Sequence, residues 1–590
     1  MGSDFRPPCG FSFSKKGKKM TTPNKKRLSR LLLSSILLLA ILLSAASCGN
    51  SGDGAQESSG IGDGTSILTD PSSNEQEDLS QPKFYKTVFN SDTTHIMQCA
   101  SPYHTTNQDT PLTKKMVEAA VTEALDAGAD CYVITPGHCW VPWWPSEYLN
   151  DHASWFFDEF GGTNATNPFW VYVHVKGNDF IQQQINVCRK RGAGAFISFR
   201  LNDAHMIGKN TPEKGNIAFS AEIFVEHPEY KIGSMSDGTS EQVLDFRHEE
   251  VRAEKLKLIR ELIENYELDG FELDFCRRFA FFNIDKTTEA ERIQIMTDFV
   301  AEVRTMLDEA TAKDGRYRHL SVRIPIYSDQ YGRMGIDLQK FEEAGVTMFN
   351  FTSSYFMDQN FDLAPLKAQL TDALVYCELN FITAYTEDSE GLRVHRRAQP
   401  EQYYTTALQA YAQGADGMSF FNFQYYRGDR QGKGDEPLTE PPWEVIANVE
   451  DISFLKQQGQ YYYFGKTWKD LITTTWRLPR QMIPNIPSSF NMYLVEPEGG
   501  WSTDGVFRLQ SEAIMGSRVF SVVINGTALT SIPYAGEAYN HPYTQMLGTA
   551  ANYACYHVPK EILHEGLNTV QVTLTSGATI TLCFVDLTIQ

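Results

Sequence analysis

Residues 268–279 read LDGFELDFCRRF. Asp269, Glu272 and Asp274 sit in a run that otherwise has the apolar and aromatic composition of a buried strand. Acids inside such a strand cost free energy unless they are paired or used. Side chains alternate along a strand, so Glu272 and Asp274 share one face while Phe271, Leu273 and Phe275 share the other. Phenylalanines toward helices and acids toward an interior suit a parallel barrel, in which reacting groups gather at the C-terminal ends of the strands. Asp274 then lies nearer the mouth, Arg277 and Arg278 follow in the loop, and Asp269, at the strand's start, is structural.

The pattern recurs on both sides of this stretch. Strand-like runs fall at 94–99, 129–135, 194–201, 269–275, 319–326, 346–352, 374–380 and 416–423. Helix-patterned segments lie between them at 113–126, 180–191, 249–265, 289–309 and 400–412, and AGAD (127–130) and QGADG (413–417) read as helix-end glycine turns. Eight such repeats predict an α/β chain with a (β/α)8 TIM barrel over 83–450. The runner-up, a doubly wound open sheet, usually carries a phosphate loop, and neither GxGxxG nor a Walker pattern occurs. After 440 the texture changes. Residues 443–464 read as helical, 451–484 as a connector, and 485–590 alternate strongly with frequent turns. This last segment is expected to be a small all-β, jelly-roll-like sandwich and a candidate carbohydrate-binding accessory domain.

Residues 25–47, KKRLSRLLLSSILLLAILLSAAS, have a basic start, a short apolar stretch and small residues before Cys48. That is the layout of a secretory signal peptide, and Ala45–Cys48 resembles the bacterial lipobox. The expectation is a lipoprotein signal over 1–48, lipidation of Cys48, and a chain held at the extracytoplasmic face of the cell membrane. Residues 49–82, rich in Gly, Ser and acids, read as a flexible linker. Removing residues 1–47 takes away nine basic residues and one acid, moving the formal charge from −21 to −29. Such a field repels nucleic acid. The remaining cysteines are scattered, with no CxxC or HExxH, so neither a metal site nor a cofactor is called for. Most read as small buried hydrophobes. The oligomeric state is not legible.

Other strands repeat the inward polar face. Arg200 and Asn202 follow Ser198 on strand three, with Asp203 and His205 just beyond; Ser321 and Arg323 are on strand five, Glu378 and Asn380 on strand seven, Asn422 on strand eight. A barrel interior normally takes branched apolar residues. A lone acid here is more often the partner of an arginine, and Arg200 or Arg323 could hold Glu272; a polar upper layer on several strands together points to a site. Paired carboxylates suit glycosidic cleavage, one protonating the leaving oxygen and the other attacking or activating water. Asp274 is the expected general acid, Glu378 the nucleophile or base, and Glu272 the neighbour that tunes Asp274. The loop 137–170 holds five of the nine tryptophans, and Trp143 and Trp144 are expected to stack on sugar faces. The plainer reading is a long loop packing itself.

FISFRLNDAH (196–205), HPEYKIG (227–233) and the segment 244–282 around the opening stretch resemble the glycosyl hydrolase-like 10 group of bacterial TIM barrels. The resemblance covers roughly 90–450. It implies carbohydrate hydrolysis and marks Arg200, Asn202, Asp203, His205, Glu272, Asp274 and Arg277 as site residues. The chitinase-type pattern of spaced acids fails at Cys276, since a thiol cannot replace the general acid. The expected activity is hydrolysis of O-glycosyl bonds in a poly- or oligosaccharide; the alternative is a surface glycan-binding protein without turnover.

Overall fold

Eight parallel strands close into a barrel, each paired with its sequence neighbours and the last with the first. The computed structural model describes residues 78–99, 101, 111–137, 140–154, 168–203, 221–387, 393–427, 440–467, 477–539, 541–542 and 548–590. The barrel strands are β1 (Thr87–Ser91), β2 (Cys131–Ile134), β3 (Gly194–Arg200), β4 (Gly270–Asp274), β5 (His319–Pro325), β6 (Met348–Thr352), β7 (Leu374–Asn380) and β8 (Gly417–Phe421). Helices α1 (Lys114–Asp126), α2 (Phe180–Arg191), α3 (Glu249–Asn265), α4 (Glu289–Asp314), α5 (Leu338–Glu343) and α6 (Pro400–Ala412) connect them. Local chemistry sets their ends. Asp179 caps α2 and left-handed Gly192 closes it; Thr288 and Glu291 form a capping box for α4, which Gly315 ends.

Seven strands stand where the sequence pattern puts them. The first does not. Residues 94–99 are not a strand: His95–Gln98 is a helical turn, and β1 lies earlier in TVFNS. The reason is local. Asp92 Oδ1 accepts from Thr94 Oγ1 at 2.9 Å and the His95 N–H donates to Asp92 O, so the chain turns at Asp92 instead of extending.

The barrel interior is layered. Its floor is apolar, built from Tyr85, Val88, Val133, Phe196, Met348 and Tyr376. Gly270 faces this floor, and a Cβ there would stand 2.4 Å from the Phe196 ring, so β4 can enter only as glycine. Above it comes a neutral polar layer: Asn90, Ser198, Ser321, Asn350 and Ser419 around Glu272. The register carries the alternation upward to Arg200, Asp274 and Arg323.

The second domain is a two-sheet sandwich. One sheet orders β9 (Gln460–Gly465), β18 (Ile580–Ile589), β12 (Gly505–Ser511), β16 (Tyr553–Val558) and β15 (Thr530–Ile532), with β10 (Arg480–Met482) also on β18. The other orders β11 (Pro487–Leu494), β17 (Gly566–Ser576), β13 (Val519–Ile524) and β14 (Thr527–Ala528). The sandwich therefore begins earlier than 485: the expected connector contains β9 and β10, and the helix expected through 464 gives way to β9. Alternating tyrosines in β9 fit a strand, not a helix.

Barrel and sandwich lie in one compact unit, Gln76–Gln590. Tyr463 OH donates to Met357 O at 2.7 Å, and the Gln359 amide bonds the backbone of both Tyr461 and Tyr463. The hairpin after β7 brings in Arg396, fully buried, whose guanidinium donates to Gln510 Oε1 and Tyr461 OH and lies 3.9 Å from the Phe584 ring centre. Arg508 forms a two-pronged pair with Asp586 at 2.8 and 3.0 Å and also donates to Tyr461 OH. The seven cysteines among the described residues are buried and form no disulfide. No helix among the described residues is long and apolar enough to cross a membrane; the apolar stretch 25–47 and Cys48 lie outside them.

Asp586→Asn takes from buried Arg508 the carboxylate it grips with two donors, leaving it only the carboxylate of Glu537 at 3.2 Å. Breaking a buried pair from one side costs about 3–5 kcal/mol. Urea unfolding should show that loss in one transition shared by barrel and sandwich signals; a change under about 1 kcal/mol would remove this network from the account of domain packing.

Candidate active site

Arg323, on the inward face of β5, organises the barrel mouth. Its Nε and Nη2 donate to Glu378 Oε2 and Oε1, both at 2.6 Å, and its Nη1 donates to Asp274 Oδ1 at 3.1 Å. Thr352 on β6 adds a 2.6 Å hydrogen bond to Glu378 Oε1. The guanidinium carbon sits 4.3 Å from the Phe421 ring centre. Burial works against the Arg323 charge, but Glu378 and Asp274 outweigh it and push its pKa above the ordinary guanidinium value.

Asp274 ends β4. Its Oδ1 also accepts the Cys276 N–H at 2.7 Å, while Oδ2 meets Arg200 Nε only at 4.0 Å, beyond hydrogen-bond reach. One oxygen is therefore fixed and the other is left toward Arg200. Both partners of Oδ1 are donors, so the carboxyl accepts at that oxygen. Glu378 differs: both its oxygens are bonded and its side chain is fully buried. Asp274 and Glu378 do not form the open pair expected from the sequence, because Arg323 bonds both.

Arg200, on β3, joins the ends of three strands. It pairs with Asp92 after β1 at 3.3 Å, Asp203 at 3.7 Å and Asp274 at 4.0 Å. Burial again opposes the charge, and Asp92 and Asp203 more than offset it, raising the Arg200 pKa. Arg277 Nε approaches Asp203 Oδ1 at 3.8 Å while its Nη1 donates to Tyr355 OH at 2.5 Å. Asp92, Arg200, Asp203, Arg277 and Tyr355 thus make an outer ring around the Asp274–Arg323–Glu378 set.

Glu272 lies one layer below. Neutral donors hold it: Asn90 Nδ2 and Ser198 Oγ at 2.7 Å on Oε1, Asn350 Nδ2 and Ser321 Oγ at 3.2 and 3.3 Å on Oε2. Neither Arg200 nor Arg323 bonds it, unlike the structural reading of the sequence. Burial among uncharged groups pushes its pKa up to about 7, with the Asp274 charge a lesser contribution.

Other expected site residues are placed differently. Asn202 spends its amide N–H groups on Leu244 O and Ala280 O, tying loops together. Asn422 is buried with a left-handed backbone (φ 59°), and its Oδ1 has no hydrogen-bond partner among the described residues. Register puts Phe421, not Asn422, on the inward face beside Asn380. Trp143 stacks on Phe169, with centroids 5.1 Å apart, and Trp144 donates to Glu261 of α3 while packing on outward-facing Phe199. Both are core side chains in the layer outside the barrel, so the sugar-platform expectation is corrected to the plainer one of a self-packing loop. His205 and Trp155 lie outside the described residues. Among those described, no group of His, Cys, Asp and Glu is arranged to hold a metal ion.

Sequence reasoning missed Asp92, Asn90, Asn350, Thr352, Tyr355 and Phe421. The displaced first strand hid Asn90 and Asp92. Asn350 and Thr352 alternate within an otherwise apolar run of strand six and were legible from period alone.

No family model matches the sequence, and no curated protein matches it. Solved structures similar to this chain include glycoside hydrolases. The glycoside hydrolase domain of PgaB (BpsB) from Bordetella bronchiseptica is 10% identical with a TM-score of 0.37, covering 62% of this chain and 99% of that one. A GH27 β-L-arabinopyranosidase from Geobacillus stearothermophilus is 13% identical, TM-score 0.32, covering 83% and 96%. A class V chitinase from Pseudomonas fluorescens Pf-5 is 9% identical, TM-score 0.32, covering 62% and 98%. At these values the likeness bears on no residue of the site.

Glu272 offers a direct check of the buried layer. Burial pushes its pKa from the ordinary 4.5 up to about 7, so the folded state binds this proton more tightly than the unfolded chain does. Its contribution to stability is fully present below about pH 4.5 and is lost as pH rises through 7. Glu272→Gln cannot titrate. The stability of the variant relative to wild type should rise by on the order of 3 kcal/mol between pH 4.5 and 7.5; a flat difference in chemical unfolding would show that Glu272 is not held among neutral groups.

Proposed function

We propose that the barrel is a glycoside hydrolase that cleaves O-glycosidic bonds of a poly- or oligosaccharide. The observation that carries this reading is Asp274: a carboxylate at the C-terminal end of β4 with Oδ1 fixed by Cys276 N–H and Arg323, and Oδ2 without a hydrogen bond among the described residues. That is the arrangement of a group that attacks an anomeric carbon or activates water. As the glycosidic C–O bond breaks, the leaving oxygen takes a proton and the carbon takes an oxygen from Asp274 or from the water it deprotonates. Arg200 and Arg323 keep Asp274 in a fixed electrostatic setting, so little reorganisation is needed.

This departs from the sequence-based roles. Asp274, expected as the acid, is assigned as the carboxylate nucleophile or base. Glu378 is assigned to hold Arg323 against it. Asp92 and Asp203, both paired to Arg200, are assigned to hold that guanidinium beside Asp274; the proton for the leaving oxygen then comes from water in the cleft. The signal-like stretch 25–47 and Cys48 support a lipid-anchored protein at the extracytoplasmic face. Its partners are then a carbohydrate substrate and, through the lipid alone, the membrane.

A second reading, glycan binding without turnover, is favoured by one observation: Arg323 and Thr352 occupy both oxygens of Glu378. Incubation with a glycan panel, read by product release, separates the two. Hydrolysis expects product from at least one glycan and a fall of about 1,000-fold in Asp274→Asn. Saturable binding with no product, or an Asp274→Asn variant with the wild-type rate, would overturn it.

A further inference from the structure

The sandwich has one surface whose chemistry stands apart from the rest of the chain. The outward positions of β11, β17 and β13 alternate with buried ones: 487–493, 567–575 and 519–523, every second residue. The pairing register sets them side by side, with Ser489 opposite Gln571 and Gln571 opposite Val523. These twelve positions hold Ser, Thr, Asn and Gln, with Pro, Leu, Val and one Tyr, and not one charge. A surface charged at the roughly 25–35% that favours solubility would put three or four charges here. The chain itself is 21% charged.

Intrinsic strand preference explains Thr and Val but not Ser, Asn and Gln, which are neutral or poor in strands. Hydroxyl and amide groups meet across the strands: Thr569 Oγ1 donates to Asn491 Oδ1 at 3.3 Å and Gln571 Nε2 to Ser489 Oγ at 3.4 Å. Each of these side chains has further hydrogen-bonding capacity beyond the one bond. Leu567 and Val519 are more than half exposed at the margins, adding aliphatic surface. Tyr493, the one aromatic, marks the end where Gln409 of α6 bonds its backbone.

We propose that this face binds a neutral polysaccharide. A ligand with many hydroxyls and C–H faces and no charge is what an uncharged array of hydroxyls, amides and aliphatic edges complements. An anionic polymer would find no cation there. A second copy of the chain would bring the same net charge of −21 toward itself, which opposes self-association. The inference is independent of the catalytic reading of the barrel.

The test is affinity electrophoresis of the full chain in native gels containing a neutral β-glucan, an α-glucan, a xylan or a galactomannan, with polygalacturonate as the charged control. At least one neutral polymer should retard the wild type and polygalacturonate should not. Thr569→Val with Gln571→Glu keeps exposed strand positions filled, removes a hydroxyl and adds a charge; retardation should weaken at least tenfold. Asp274→Asn should keep it. No retardation by any neutral polymer, retention of full binding by the Thr569→Val, Gln571→Glu chain, or loss of binding in Asp274→Asn alone would overturn the proposal. Binding at the face without product from any glycan would instead count against the barrel's assigned activity and leave the face standing.

Discussion

The pairing of Arg323 with Glu378 and Asp274 is the constraint around which the barrel mouth is built. Three buried charges cannot stand there singly; each costs several kcal/mol to desolvate, and only mutual pairing with good geometry offsets it. Arg323 meets Glu378 with two parallel donors and has one more for Asp274. That fork geometry is available to arginine and not to lysine. Once it is in place, strands β4, β5 and β7 are tied in register at their upper ends, and Asp274 has a single orientation.

The layer beneath obeys a different rule. Glu272 is hydrogen-bonded only by hydroxyl and amide donors, and burial pushes its pKa up to about 7 against the opposing pull of the Arg323 charge. A charged layer above and a neutral polar layer below, on an apolar floor, grade the interior from mouth to base. The layers follow from strand period alone: Gly270, Glu272 and Asp274 are three successive inward positions of one strand. The opening stretch therefore encodes the whole gradient, with Phe271, Leu273 and Phe275 turned outward to anchor it against the helices. Asp269 falls at its foot, where it accepts from the Ala195 N–H and pairs with Arg316, a structural role.

Much of this was legible in the sequence because period and burial are local properties. Seven strands, five long helices and the inward set Arg200, Glu272, Asp274, Arg323 and Glu378 follow from them. What failed was non-local or hinged on a turn. THIMQC has the composition of a strand, but Asp92 and the threonines after it make a turn with their own backbone. Asn422 was assigned inward without the register that gives that place to Phe421. The tryptophans were assigned to a cleft because their residue type suits one; composition does not say which side of a strand a loop packs on. Which acid an arginine chooses is also invisible in sequence: Arg323 could have served Glu272, and it serves Glu378. The barrel and sandwich share tyrosines and buried arginines, so the sandwich starts inside what composition marks as a connector.

The central claim is that Glu378 is the counter-ion of Arg323 and not an independent reacting group. A double-mutant cycle on unfolding free energy, using Arg323→Met and Glu378→Gln singly and together, tests it most directly. Groups in one buried network couple by about 0.5–3 kcal/mol, and the geometry here places the expected coupling at the upper end, with the double variant more stable than the two single losses added. Additive losses, with a coupling near zero, would contradict the account.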